Sequence, residues 1–191
     1  MKLVILDRDG VINEDSDAYI KSVAEWIPIP GSLEAIARMC QGGWRVFVAS
    51  NQAGIGRGLF DYDALLAMHA HLQQAVKALG GQIDGIAFAP EHPDHATDMR
   101  KPNPGMLLDI ARRLQVGLDG VPFVGDTVAD LQAARASGAR PILVRTGKGL
   151  GTEKVREARG VPVYDDLGAF ASDLLQAPER PAVGFQRPQT A

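Results

Sequence analysis

Five short, almost uninterrupted apolar runs recur along the chain: residues 3–6 (LVIL), 46–49 (VFVA), 83–89 (IDGIAFA), 121–124 (VPFV) and 141–144 (PILV). A run that shows little polar alternation has no face to give to water, so these are read as parallel strands buried on both sides. Helical patterns separate them, over 31–40, 61–79, 104–114 and 128–137. Asp61 suits an N-cap, Pro104 a first helical turn, and Gly138 a helix stop. Strand and helix in strict alternation require right-handed crossovers. The expected fold is α/β: a doubly wound, three-layer αβα sandwich on a mostly parallel sheet. A last strand at 161–163 and a helix at 167–175 close the domain.

With 191 residues the chain is expected to hold one domain, residues 1–176, and no insertion is long enough for a separate cap over the sheet. The segment 177–191, APERPAVGFQRPQTA, has three prolines in 15 residues and is read as a flexible tail. A formal charge of −3 argues against nucleic acid and offers no basic stripe for a membrane surface. No apolar stretch reaches 18 residues, and Met1-Lys2 runs straight into the first strand, so a cytoplasmic location is expected. The single cysteine, Cys40, excludes an internal disulfide and reads as helix packing. No exposed apolar pattern asks for a partner chain, and a monomer is expected.

Open parallel sheets bind ligands outside the carboxyl ends of their strands, so the residues after each run carry the functional reading. DRDG follows the first run, with Asp7 and Asp9. SNQAGIGRG follows the second, with Ser50, Asn51 and Gln52. RKPNPG precedes the third helix, with Arg100 and Lys101. GDTVAD follows the fourth run, with Asp126 and Asp130. Two carboxylates spaced two apart at a strand end repel each other unless a cation stands nearby. Hard oxygen ligands from Asp7 and Asp126 suit Mg²⁺ with a substrate phosphate. Lys101 and the Ser50 hydroxyl can hold phosphoryl oxygens, Asp7 can attack phosphorus, and Asp9 can move the protons.

Plainer readings exist for the same residues. Asp126 can cap the helix that starts near Val128, and Asp130, four residues on, can orient a metal-bound water or lie on the surface. His92, His95, Asp94 and Asp98 share an irregular proline-rich loop and read as incidental. His69 and His71 point different ways on a helix and receive no chemistry. Gly54, Gly56 and Gly58 read as a flexible loop that approaches phosphate. Trp26 and Trp44 read as packing.

The strings DRDGVIN, VASNQAG, RKPNPG and VGDTVAD resemble the four motifs of the haloacid dehalogenase-like phosphatases, over about residues 2–165. The longer strings LDRDGVINED, SNQAGIGRG, RKPNPGMLLDIAR and LVRTGKG resemble the D-glycero-β-D-manno-heptose 1,7-bisphosphate 7-phosphatase family, to which histidinol-phosphate phosphatases are close. The resemblance implies Asp7 as nucleophile and Asp9 as general acid and base. It also implies Mg²⁺ held by Asp7, Asp126 and the Asp9 carbonyl. Ser50 and Lys101 would stabilise the transferring phosphoryl group. Arg100, Asp15, Ser16, Tyr19, Asn51 and Gln52 would face a small sugar phosphate. It further implies removal of the 7-phosphate, in the supply of activated heptose for lipopolysaccharide.

One departure stands out. Many members carry a structural zinc loop before RKP, with C-x-H and C-x-C spacing. Here FAPEHPDHATDMRKP has Ala89, Glu91, Thr97 and Met99 at those positions, so no zinc is expected. Histidinol phosphate stays open as substrate, because Asp15 and Asp17 would suit its amine. A phospho-accepting receiver module is the rival from another class, although its acceptor aspartate ends a middle strand where this chain has Ser50. A dehalogenase would not need a proton donor such as Asp9.

Overall fold

The computed structural model describes residues 1–176; the segment 177–191 lies outside the described residues, and with it the expected tail. The elements are β1 (Leu3–Leu6), α1 (Ser32–Gln41), β2 (Arg45–Asn51), the one-turn α2 (Ala53–Gly56), α3 (Tyr62–Ala78), β3 (Gly85–Ala89), α4 (Gly105–Leu114), β4 (Pro122–Gly125), α5 (Val128–Ser137), β5 (Arg140–Val144), the one-turn α6 (Gly149–Thr152), β6 (Val163–Tyr164) and α7 (Leu167–Gln176). The six strands are all parallel, in the order β3-β2-β1-β4-β5-β6.

Alternation along the strands sorts the core into two layers. Val4 and Leu6 join Val46, Val48 and Val124 against Ile36 and Met39 of α1, Leu65, Met68, Leu72 and Val76 of α3, and Phe170 of α7. Leu3 and Ile5 join Phe47, Ala49 and Phe123 against Met106, Leu107 and Ile110 of α4 and Ala133 and Ala134 of α5. The side chains of β1 are all buried, which is why its sequence shows no polar alternation.

Local chemistry sets the ends. Asp61 accepts the Ala64 N–H at 2.9 Å and caps α3. Gly138, at φ 81°, stops α5. The cap of α5 is Thr127, not Asp126: Thr127 and Asp130 form a reciprocal capping box. The third strand starts at Gly85, two residues later than expected, because the Asp84 carboxylate accepts the Val46 N–H at 3.0 Å and Arg45 Nε at 3.1 Å. The last strand is Val163–Tyr164 rather than 161–163, its ladder opening with the Leu143 N–H on the Pro162 carbonyl. Gly54 and Gly56 belong to α2 and make close packing contacts, not a phosphate loop. A Cβ at Gly54 would lie 2.2 Å from the Phe60 ring, and one at Gly56 2.4 Å from the His92 nitrogen.

Strand order reverses between β1 and β4, the switch point at which a crevice opens at the carboxyl edge. Backbone pairing continues into that crevice, with the Asp7 N–H on the Val124 carbonyl at 2.8 Å.

Candidate active site

A cleft of about 390 Å³ lies at this edge. Its walls include Asp7, Asp9, Asp15, Ser16, Tyr19, Ser50, Asn51, Gln52, Arg100, Lys101 and Asp126, so these sequence-chosen residues reach one cavity, whereas Asp130 does not line it. Asp17, Ile20, Ala53, Thr127, Ala129 and Lys148 complete it.

The floor is a crowded set of buried charges. One oxygen from each of Asp7, Asp126 and Asp130 can be chosen so that all lie within 4.8 Å of one another. The ammonium of Lys101 stands among them, 2.9 Å from Asp7 Oδ1, 2.7 Å from Asp130 Oδ1 and 2.8 Å from the Ala49 carbonyl. Burial opposes its charge, yet Asp130 and then Asp7 hold Lys101 above its ordinary range. Burial, then repulsion from Asp130 and Asp126, drives the Asp7 carboxyl well above the carboxylate range against the pull of Lys101. Burial and then Asp130 push Asp126 up to about 7, opposed by the Lys148 N–H.

Three carboxylates around one lysine leave an excess of negative charge, and Asp126 Oδ1 is buried without a hydrogen-bond partner. An orphaned hard acceptor in such a cluster fits a divalent cation with oxygen ligands. Asp130 is not on the surface. It is 1% exposed, its Oδ2 accepts the Thr127 N–H and hydroxyl at 3.0 and 2.6 Å, and its Oδ1 meets Lys101. It therefore orients the lysine.

Backbone closeness fixes Asp126. Gly10 (φ 81°) and Gly147 (φ 56°) both press on its carboxylate, and a Cβ at either would sit 2.3 or 2.2 Å from Oδ2. The Lys148 N–H donates to the same oxygen at 2.7 Å. Only glycine permits both the positive φ and this approach.

Ser50 is buried at the end of β2, and its Oγ accepts from Gln52 Nε2 at 2.8 Å, leaving the hydroxyl proton to be donated. Asn51 and Gln52 line the cleft, but their amides serve the protein. Asn51 brackets Lys101, donating to its carbonyl at 2.9 Å and accepting its N–H at 3.0 Å. Gln52 contacts Arg8, Asp9 and Ser50.

At the mouth, Lys148 Nζ meets Asp15 at 3.1 Å and Asp17 at 3.4 Å. Tyr19 holds φ 64°, with the Arg57 guanidinium 6.0 Å from its ring centroid. Arg100 is half-buried and donates to the Glu91 carbonyl at 3.3 Å. Lys148 received no role from the sequence, although LVRTGKG places it just past β5, at the same edge as the other groups. His69 also went unassigned. It is buried, and that burial, with the charge of Arg8 added, pushes it down to about 4. His71 instead lies edge-on to buried Trp26, ring centroids 5.4 Å apart.

The family model for HAD-hydrolase-like proteins matches residues 98–170. The D-glycero-beta-D-manno-heptose-1,7-bisphosphate 7-phosphatase of Pseudomonas putida is 54% identical over 179 residues, 92% of this chain and 100% of that protein. The protein of the same name from Pseudomonas aeruginosa is 54% identical over 174 residues, 91% of this chain and 98% of its own length. Among solved structures, the D,D-heptose 1,7-bisphosphate phosphatase from B. bronchiseptica, complexed with magnesium and phosphate, superposes with a TM-score of 0.90 at 52% identity, covering 92% of this chain and 99% of that one.

Proposed function

This chain belongs to the D-glycero-β-D-manno-heptose 1,7-bisphosphate 7-phosphatase family of HAD-like hydrolases, and from that premise we propose that it removes the 7-phosphate of the heptose bisphosphate through an aspartyl-phosphate on Asp7. It is a hydrolase of phosphoric monoesters. The observation that carries the site assignment is the junction of Asp7, Lys101 and the unpartnered Asp126 oxygen at the β1–β4 switch point.

The Arg8 N–H at 2.6 Å and Lys101 at 2.9 Å fix the orientation of the Asp7 carboxylate. Asp7 attacks phosphorus, and the bond from phosphorus to the sugar oxygen breaks. Asp9 gives its proton to the departing alkoxide. The resulting Asp9 carboxylate takes a proton from water as the water oxygen attacks phosphorus, which frees Asp7 and inorganic phosphate. Lys101 and the Ser50 hydroxyl meet charge on the phosphoryl oxygens. Asp7, Asp126 and the Asp9 carbonyl would hold Mg²⁺, which when bound offsets the crowded carboxylates and withdraws charge from the phosphoryl group.

The rim favours a bisphosphate over histidinol phosphate. Asp15 and Asp17, the acids that would greet an amine, are already paired with Lys148, and Arg100 reaches the same cleft. The product would feed activated heptose synthesis for lipopolysaccharide in the cytoplasm. The loop before Arg100 would hold its shape without zinc: Thr97 donates to Glu91 at 2.7 Å, tying two of the four positions at which the resemblance would place zinc ligands. The protein acts as a monomer on a small sugar phosphate.

Phosphate release from the heptose bisphosphate and from histidinol phosphate, each with Mg²⁺ and with EDTA, tests the reading. The heptose substrate should give the higher kcat/KM, lost on chelation. A preference for histidinol phosphate overturns the substrate assignment. Zinc found in stoichiometric amount by elemental analysis would refute the metal-free loop.

A further inference from the structure

Asp9 is gripped by more donors than a mobile proton carrier at a cleft wall requires. Arg8 holds it in a fork, Nε on Oδ1 at 2.9 Å and Nη2 on Oδ2 at 3.0 Å. Asn13 Nδ2 adds a bond to Oδ1 at 2.8 Å, and Gln52 Nε2 one to Oδ2 at 3.0 Å. Four hydrogen bonds from three side chains leave one carboxylate little room to rotate.

Each of those donors is itself tied down. Arg8 is 1% exposed and forms no part of the cleft lining. Its Nη2 also donates to Gln52 Oε1 at 3.1 Å. Gln52 spends its second N–H on Ser50. Asn13 is fully buried, its other side-chain N–H falls on the Glu14 carbonyl at 2.9 Å, and its backbone carbonyl accepts the Gly10 N–H at 2.7 Å. Burying a guanidinium is costly, and with Nη1 left without a hydrogen-bond partner the side-chain bonds that offset this cost are those to Asp9 and Gln52. Neither Arg8 nor Asn13 reaches the cleft wall, so neither has a route to substrate.

We propose that Arg8, Asn13 and Gln52 are positioning residues for Asp9: one of their four bonds opens to give a carboxylate lone pair to the proton that Asp9 carries, and the others fix the point from which the leaving sugar oxygen receives it. This rests on the role of Asp9 given above. Gln52 serves a second end of the same device, since its amide joins Asp9 to Ser50. Proton delivery to the leaving group and the hold on the phosphoryl group therefore share one side chain.

The reaction offers a readout that general damage would not move. An alkyl leaving group needs its proton, whereas a nitrophenolate leaves without one. Turnover of the heptose bisphosphate and of 2,4-dinitrophenyl phosphate is compared for the wild type, Asp9→Asn, Asn13→Ala and Gln52→Leu, with thermal melting as a check on folding. Asp9→Asn should lose on the order of 10²–10⁴-fold in kcat on the sugar substrate and far less on the aryl ester. Equal losses there would refute the role of Asp9 itself, not the clamp. Given a selective Asp9→Asn, Asn13→Ala and Gln52→Leu should lower the alkyl-to-aryl kcat ratio by about tenfold with KM little changed. Gln52→Leu should also slow both substrates modestly through Ser50, which the ratio cancels. An unchanged ratio in folded Asn13→Ala and Gln52→Leu overturns the proposal. A rise in KM alone for Gln52→Leu would make Gln52 a substrate contact and overturn it too. Should Gln52→Leu not fold, Asn13→Ala decides.

Discussion

Two sets of ion pairs in this molecule have nearly the same lengths. On α4, Asp109 meets Arg112 at 2.5 Å and Arg113 at 2.6 Å, and both arginines are largely exposed. On the cleft floor, Lys101 meets Asp130 at 2.7 Å and Asp7 at 2.9 Å, with every partner buried. The α4 pairs hold the Asp109 carboxyl below its ordinary range, while burial and crowding drive Asp7 above it. Distance alone says nothing of this. In water an ion pair is a small convenience, whereas in the cleft the charges are costly to assemble, as the proposed use of them in the chemistry would require.

Replacing one charge at a time pulls the comparison apart. Asp7→Asn should abolish turnover, by on the order of 10⁴-fold or more, because the proposed nucleophile would be gone. The same variant should melt at a higher temperature than the wild type when both are free of metal, since a disfavoured charge has been removed. Steady-state assays and calorimetry check the two halves, and a lower metal-free melting temperature would refute the crowding argument. Lys101→Met takes the opposite charge from the same cluster. It should lose about 3–5 kcal/mol of stability in urea unfolding, because Asp7 and Asp130 are left buried without a cation.

The next effect is a pH dependence. His69 holds about 4 where an exposed histidine holds 6.5, so the unfolded chain takes up this proton earlier than the folded one as pH falls. Stability should drop through the window from 6.5 to 4 and level off below it, by about 3 kcal/mol from this residue. In His69→Phe, urea midpoints measured at pH 7 and pH 4.5 should differ less than in the wild type. The smallest effect is the surface control: Asp109→Ala should cost less than about 1 kcal/mol and leave turnover unchanged. A cost near that of Lys101→Met would erase the distinction between the two sets.

Much of the fold was legible because burial on both faces leaves a mark in the strand sequence itself, as in Leu3–Leu6 and the second strand around Val46–Ala49. The one-turn helices Ala53–Gly56 and Gly149–Thr152 were not, since four residues cannot display a helical period. In the site, Asp7, Ser50 and Asp126 were readable from their places after strands. Lys148 was missed although it obeys the same rule, because its partners Asp15 and Asp17 lie more than a hundred residues away in sequence. Asp130 was left between a metal-bound water and the surface; its capping box with Thr127 went unread because Asp126 stood as the candidate cap, and its bond to Lys101 depends on the packing of α5 beside α4.

Of the six strands, the one that leads into Asp7 comes first in the sequence and lies in the middle of the sheet. Its neighbour β4, which leads into Asp126, is separated from it by most of the molecule, and Lys101 arrives between the two. A ribosome-bound chain that holds only the first three strands thus has Asp7 but neither Lys101 nor Asp126, the groups proposed to work beside it. The proposed site can therefore be complete only once β4 has closed the central strand in from its second side.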